Sequence, residues 1–231
     1  MTSLATRADA QEQMDDPALD PAVYDEVLAD LARVNRWTLA ARPTLGFLER
    51  ALKGKRSFRL LDVGFGDGDM LRVIAAWAAR RGITAELVGV DLNPRSEPKA
   101  RAATPAALGI DYRTGDYRDV PGEFDLIVSS LVAHHMAPDE LGAFIRYMEA
   151  RAARGWMIND LHRHRLAHLG YPLLARMLRV HRIVREDGTL SIARSFRPAE
   201  WRAILDEAGV PPAAARIFRS FPFRLCVERL R

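Results

Sequence analysis

Cysteine occurs once in the 231 residues, at Cys226, which excludes an internal disulfide and any multi-cysteine zinc site. Lysine is almost as scarce: Lys53, Lys55 and Lys99 are the only ones among 34 basic residues. The arginines that make up the rest are interspersed with Asp and Glu. The net charge is therefore only +4, and no continuous basic stripe for nucleic acid stands out. Apolar runs such as LVAHHM and VIAAWAA fall far short of the roughly 20 residues that cross a bilayer, so stable membrane insertion is not expected. Residues 1–20 are polar and acidic where a signal peptide has an apolar centre, which points to a reduced, cytoplasmic setting. Repeats and low-complexity stretches are also missing.

What is present is a chain 48% hydrophobic, long enough to bury a proper core. Residues 1–19 read as frayed or weakly helical. Asp20-Pro21 reads as an N-cap followed by proline at the first helical position. Val23, Val27, Leu28, Leu31 and Val34 then follow at helical spacing, and a second helix is expected from Pro43 to Gly54. Residues 1–54 thus read as a helical appendage that could cover a substrate, and residues 55–231 as the main domain, with a helical insertion near 161–190.

Beyond Gly54 the pattern alternates. FRLLDV (Phe58–Val63), ELVGV (Glu86–Val90), Ile110–Tyr112, FDLIVS (Phe124–Ser129) and GWMIN (Gly155–Asn159) read as strands. Helices are expected at Met70–Arg80, Pro98–Leu108 and Asp139–Arg151 between them. Ala214–Arg219 and Arg224–Arg229 are too close in sequence for a parallel crossover and read as an antiparallel hairpin. The expected architecture is α/β: a Rossmann-like, mostly parallel sheet of seven strands plus the N-terminal helices.

Ligands of such sheets bind beyond the carboxyl ends of the strands. The first of these ends is LLDVGFGDGDM, where Gly64, Gly66 and Gly68 let the chain turn sharply against a ligand. The second strand ends in VGVDLNP, placing Asp91 where it can accept both hydroxyls of a ribose. The third leads to TGDYRDV, with Asp116 placed to reach an adenine amino group. A turn and two carboxylates in this order indicate a nucleoside site. A dinucleotide fingerprint would want glycine at position 69, where this chain has Asp69; an extra carboxylate suits a pyrophosphate poorly and an ammonium or sulfonium well.

LLDVGFGDGDM, VGVDLNP, TGDYRDV and FDLIVSSLVAHHM resemble the ordered motifs of class I S-adenosylmethionine-dependent methyltransferases. The resemblance implies that Asp62 and Gly64 sit beside the methionine moiety, with Gly66 and Gly68 lining the loop. It further implies that Asp91, with Leu92, holds the ribose, that Asp116 and Tyr117 border the adenine, and that Ser130 and Leu131 lie under the sulfonium. NDLHRH after strand five is similar to bacterial small-molecule enzymes of polyketide and phenolic metabolism. The expected activity is O-methylation of a small phenolic or polyketide-derived hydroxyl. Carbon or nitrogen methylation, a nicotinamide-dependent oxidoreductase and a non-catalytic cofactor-binding regulator remain as alternatives, and a homodimer is left open.

All six histidines lie between His134 and His181, downstream of the cofactor motifs. Phenol near pKa 10 mismatches imidazole near 6.5 by about 3.5 units but an ordinary aspartate by about 6, so histidine is the better base. His135, His134 and His162 are the candidates, with Asp160 to orient a histidine or a substrate hydroxyl. Arg163 is a candidate contact for a substrate anion, and Asn35, Arg36 and Trp37 are candidate lining residues. Asp160, His162 and His164 resemble a ligand cluster. Hard cations prefer oxygen, however, and divalent-ion O-methyltransferases have an acidic residue where this chain has Ser129-Ser130; no metal is expected. Leu166, Leu169, Leu173, Met177 and Val180 read as a face packed over the substrate pocket, broken into two helices at Gly170-Tyr171-Pro172.

Overall fold

The apolar runs form seven strands in the computed structural model, which describes residues 4–231: β1 (Ser57–Val63), β2 (Thr84–Asp91), β3 (Asp111–Thr114), β4 (Phe124–Ser130), β5 (Ala152–Leu161), β6 (Ala215–Ser220) and β7 (Arg224–Leu230). They make one sheet in the order β3-β2-β1-β4-β5-β7-β6. β1 to β5 pair in parallel, whereas β7 runs antiparallel between β5 and β6. The order reverses between β1 and β4, whose carboxyl ends lie side by side in the register Val63↔Ser129. That reversal opens the crevice where ligands of doubly wound sheets bind.

Helices cover both faces. Phe144, Trp156 and Trp201 fill one layer of core; Phe47, Leu60, Trp77 and Met157 fill the other. α1 (Pro21–Trp37) starts as its sequence dictates, with the Asp20 carboxylate accepting from Ala22 N and Val23 N. α2 (Arg42–Ala51), α3 (Asp69–Arg80) and α5 (Pro138–Arg151) follow. α4 (Ser96–Ala103) is shorter than Pro98–Leu108 suggests. Pro105 forces Thr104 into extended backbone (φ −112°, ψ 122°), and a separate 3₁₀ turn covers Ala106–Leu108.

Three further expectations are corrected. The described part of residues 1–19 is docked rather than frayed. Arg7 lies over the Phe196 ring at 3.9 Å and donates to the carbonyls of Arg194, His134 and Met136. Gln13 N and Met14 N donate to the buried Asp187 carboxylate. These partners are distant in sequence, so no local periodicity announces them.

The chain does not break at Gly170-Tyr171-Pro172: α6 runs Arg165–Met177 with Pro172 inside it. α7 (Arg182–Arg194) holds it together, because Tyr171 donates its hydroxyl to Val184 O at 2.9 Å. The Tyr171 ring rests on Gly188, where a Cβ would come within 2.3 Å of it. Those contacts outweigh the one backbone bond that proline removes.

Finally, Leu166, Leu169, Leu173 and Met177 face outward, each more than 60% exposed. The small Ala175, with Val180, packs against Val27, Val34 and Val184 instead. Small side chains let α6 approach the body, which turns Leu169, Leu173 and Met177 away, while Leu166 still borders a cavity. α8 (Pro198–Glu207) completes the chain before the terminal hairpin.

Candidate active site

The loop after β1 is shaped by the sheet edge. Gly64 N donates to Val90 O at 2.8 Å, and φ is +77°. A Cβ on Gly64 would lie 2.3 Å from Val132 Cγ2, so only glycine brings the two carboxyl ends this close. Gly66 N donates to Asp91 Oδ2 at 2.8 Å, and Asn93 N to Oδ1 at 2.8 Å. Asp91 therefore grips the loop from behind, with burial raising its pKa and those N–H bonds opposing the rise. Gly68 packs on Tyr112.

Two adjoining cavities meet at this loop. The larger, about 570 Å³, is bordered by Asp62, Arg36, Arg42 and Met70. The other, about 460 Å³, is bordered by His134, His135, Leu28, Tyr171, Leu174 and Arg224. Asn35, Gly64, Phe65, Asp69, Ser130 and Leu131 line both. At the seam Leu131 takes a left-handed conformation (φ 63°), a strained backbone of the kind found at functional sites.

Asp62 carries the strongest electrostatic signature. It is buried and its Oδ1 has no hydrogen-bond partner. Burial, with Asp69 and Asp91 adding negative charge, pushes its pKa up to about 8. Asp69 is raised to about 6, by burial first and then by Asp67. Among the described residues, neither Asp62 nor Asp69 has an ion-pair partner, although Arg72 pairs with the adjacent Asp67. An ammonium beside a sulfonium fits this cluster; a pyrophosphate would be repelled.

At the end of β5, Asp160 meets the 3₁₀ turn Ala133–His135. His134 Nδ1 lies 2.7 Å from Asp160 Oδ1, and His134 N donates to Oδ2 at 2.8 Å. Burial alone would raise Asp160, but the His134 imidazole and the backbone N–H groups of His134 and Leu161 hold it below the usual carboxylate range. An ionised Asp160 keeps the proton on Nδ1 and leaves Nε2 as acceptor.

His135 is about one-third exposed, with Nδ1 3.4 Å from Asp15. Glu12 lies between the rings, 3.7 Å from His134 Nε2 and 3.8 Å from His135 Nε2. Burial raises the Glu12 pKa, while His135 and the Ser191 hydroxyl oppose it. Glu12, His134 and His135 have the donor types of a metal site. Yet Arg194 Nη1, 3.6 Å from Glu12 Oε1, already supplies the positive charge a cation would bring.

Asp62, Gly64, Gly66, Ser130, His134 and His135 thus line the paired cavities, with Asp91 and Asp160 one hydrogen bond behind them on Gly66 N and the His134 ring. Other candidates fall elsewhere. Asp116 is turned onto Arg118, with which it forms a two-pronged pair, and it borders neither cavity. Tyr117 packs on Phe144 and Tyr147, and Leu92 and Trp37 are exposed. Arg36 borders the cavity that Asp62 lines.

The expectation for Arg163 as a substrate-anion contact is corrected: its side chain is fully buried and paired with Glu200. His162 is likewise no base at the cavity. It packs against His164, and burial, followed by Arg219, His164 and Arg197, lowers its pKa to about 4.

Glu12, Asp15, Tyr171 and Arg224 line the cavity without having been expected. Asp69, the carboxylate that the sequence offers to a cationic ligand, lines both cavities.

This sheet order, with a glycine turn after β1 and a carboxylate at the tip of β2, is the architecture of class I S-adenosylmethionine-dependent methyltransferases. Residues 60–155 match the family model described as a methyltransferase domain. That match takes in the glycine loop, Asp91 and β4, and solved structures of this fold hold S-adenosylmethionine or its product S-adenosylhomocysteine.

Among solved structures, the plantazolicin methyltransferase BpumL with SAH superposes with a TM-score of 0.67 at 14% identity, covering 92% of each chain. Human N-acetylserotonin methyltransferase with SAM gives 0.62 at 15%, covering 96% of this chain and 63% of its own. Magnesium protoporphyrin IX methyltransferase from Synechocystis PCC 6803 with SAM gives 0.56 at 15%, covering 95% and 88%. At these identities the likeness is one of fold. No curated protein matches the sequence.

The residues present fit S-adenosylmethionine. The orphaned Asp62 oxygen suits its ammonium, Asp91 its ribose, and the side-chain-free cradle at Gly64 its sulfur end. Asp91→Ala is expected to weaken S-adenosylmethionine binding at least about tenfold, because a charge-assisted bond contributes about 1.5–3 kcal/mol. Calorimetric titration measures it; unchanged affinity would remove Asp91 from the ribose contact.

Proposed function

We propose that the enzyme methylates the hydroxyl oxygen of a small phenolic or polyketide-derived acceptor. The observation that carries this reading is the buried His134–Asp160 pair, whose imidazole borders an apolar cavity beside the glycine loop. When bound, S-adenosylmethionine supplies an electrophilic methyl group on a sulfonium. The protein must align the acceptor oxygen with it and take the hydroxyl proton, and alignment supplies much of the rate.

His134 Nε2 is the acceptor for that proton, with Asp160 holding the ring and balancing the imidazolium charge. The mismatch of about 3.5 units between phenol and imidazole corresponds to roughly 4.8 kcal/mol, which the neighbouring sulfonium reduces. Leu28, Leu31, Leu174 and Ile192 form apolar walls that suit an aromatic or alkyl body.

The test is mass spectrometry of phenols, and of matched anilines and carbon nucleophiles, incubated with enzyme and methyl-labelled S-adenosylmethionine. Label on a phenolic oxygen is expected. Turnover confined to nitrogen or carbon would overturn the assignment.

A further inference from the structure

Arg224, the first residue of β7, is 2% exposed and borders the cavity that also holds His134. Its Nη2 donates to Thr38 Oγ1 at 3.3 Å, while Nε and Nη1 have no hydrogen-bond partner. No carboxylate lies within ion-pair distance of it among the described residues. The nearby acids are committed elsewhere. Asp160 is bonded to His134 and Leu161 N, and Asp69 sits in the acidic group around Asp62.

A guanidinium taken out of water without a counter-ion is costly, and buried charges are normally paired. Other buried arginines of this chain obey that rule, as Arg163 does with Glu200. Burial also lowers the Arg224 pKa, against which Asp160 is the largest opposing influence. The missing partner is therefore an anion that enters the cavity.

Two oxyanions could enter: a group on the acceptor or the α-carboxylate of the methyl donor. The cavity bordered by Asp62, where the donor's ammonium fits, has its own cations in Arg36 and Arg42 and does not include Arg224. Arg224 borders the other cavity, whose walls beyond the shared glycine loop include His134, Tyr171 and Leu174.

We propose that Arg224 is an acceptor-recognition residue, binding a carboxylate or comparable oxyanion carried by the acceptor and so turning its hydroxyl toward His134. The acceptor class narrows to aromatic or alkyl hydroxy acids and related anions. This deepens the hydroxyl-methylation reading and rests on it for the orientation, although anion binding can be read without turnover.

The experiment titrates 2-, 3- and 4-hydroxybenzoate, and the corresponding hydroxybenzamides, into protein saturated with S-adenosylhomocysteine. Wild type is expected to bind at least one benzoate about ten- to a hundredfold more tightly than its amide, as a charge-assisted pair implies. Arg224→Met should abolish that preference, and Arg224→Lys should retain part of it. S-adenosylhomocysteine affinity should change less than about twofold in either variant, as expected for a residue outside the donor site.

Thermal unfolding separates this from a structural role. Removing an uncompensated buried charge should leave the melting temperature of Arg224→Met unchanged or raised, whereas loss of a structural contact would lower it. Equal or undetectable binding of benzoates and amides by wild type would overturn the proposal. So would a tenfold loss of S-adenosylhomocysteine affinity in Arg224→Met, which would assign the guanidinium to the donor's carboxylate. Failure of any phenol to be methylated would count against the hydroxyl reading alone.

Discussion

Replacing His134 with alanine is expected to lower turnover by about 10²–10⁴-fold, the usual contribution of a positioned general base. S-adenosylmethionine affinity should barely move, because the Asp62–Gly64 cradle and Asp91 lie on the neighbouring strands. The effect should be shared with Asp160. Its carboxylate fixes the His134 tautomer, so Asp160→Asn is expected to cost a comparable factor, and the double variant little more than either single one. His135→Ala should reduce turnover less, since that ring has no buried carboxylate at hydrogen-bond distance and is part-exposed. Single-turnover rates would show it, because they separate the chemical step from binding and product release. Wild-type turnover in His134→Ala would remove it as the base.

Asp62→Asn should separate stability from affinity. In the cofactor-free protein the Asp62 pKa, about 8, lies well above its ordinary value of 3.8. The residue therefore favours the folded state most below pH 4, and that contribution is lost as pH rises through 8. Asparagine removes the ionisation, so the cofactor-free variant should keep its melting temperature between pH 7 and 9, where wild type declines. S-adenosylmethionine affinity should fall about ten- to a hundredfold at pH 8.5, because the ammonium loses its charged partner. Wild-type affinity should also rise with pH, by up to about tenfold per unit below pH 8, since the ammonium selects the ionised carboxylate. A pH-independent affinity in wild type, or an unchanged one in the variant, would detach Asp62 from the donor site.

The elements most legible in the sequence were those set by local chemistry. FRLLDV and FDLIVS became β1 and β4 to within a residue, because a strand buried on both faces favours a run of apolar side chains. Asp20-Pro21 became a cap because the bond it makes reaches only two and three residues along. The glycine turn and Asp91 were equally local, each being the terminus of a strand already recognised. The adjacent histidines were found, but nothing in HH says which ring meets Asp160, 26 residues away.

By itself, then, the sequence determined the sheet, the glycine turn at its crevice and the two histidines, since alternation and turn chemistry act over a few residues. Tertiary structure alone decided that Glu12 stands between those histidines, that α6 turns Leu169 and Leu173 outward, that Arg163 is neutralised, and that Arg224 is not. Each depends on which groups distant in the chain share a low-dielectric interior. There the presence or absence of one counter-charge outweighs any local preference.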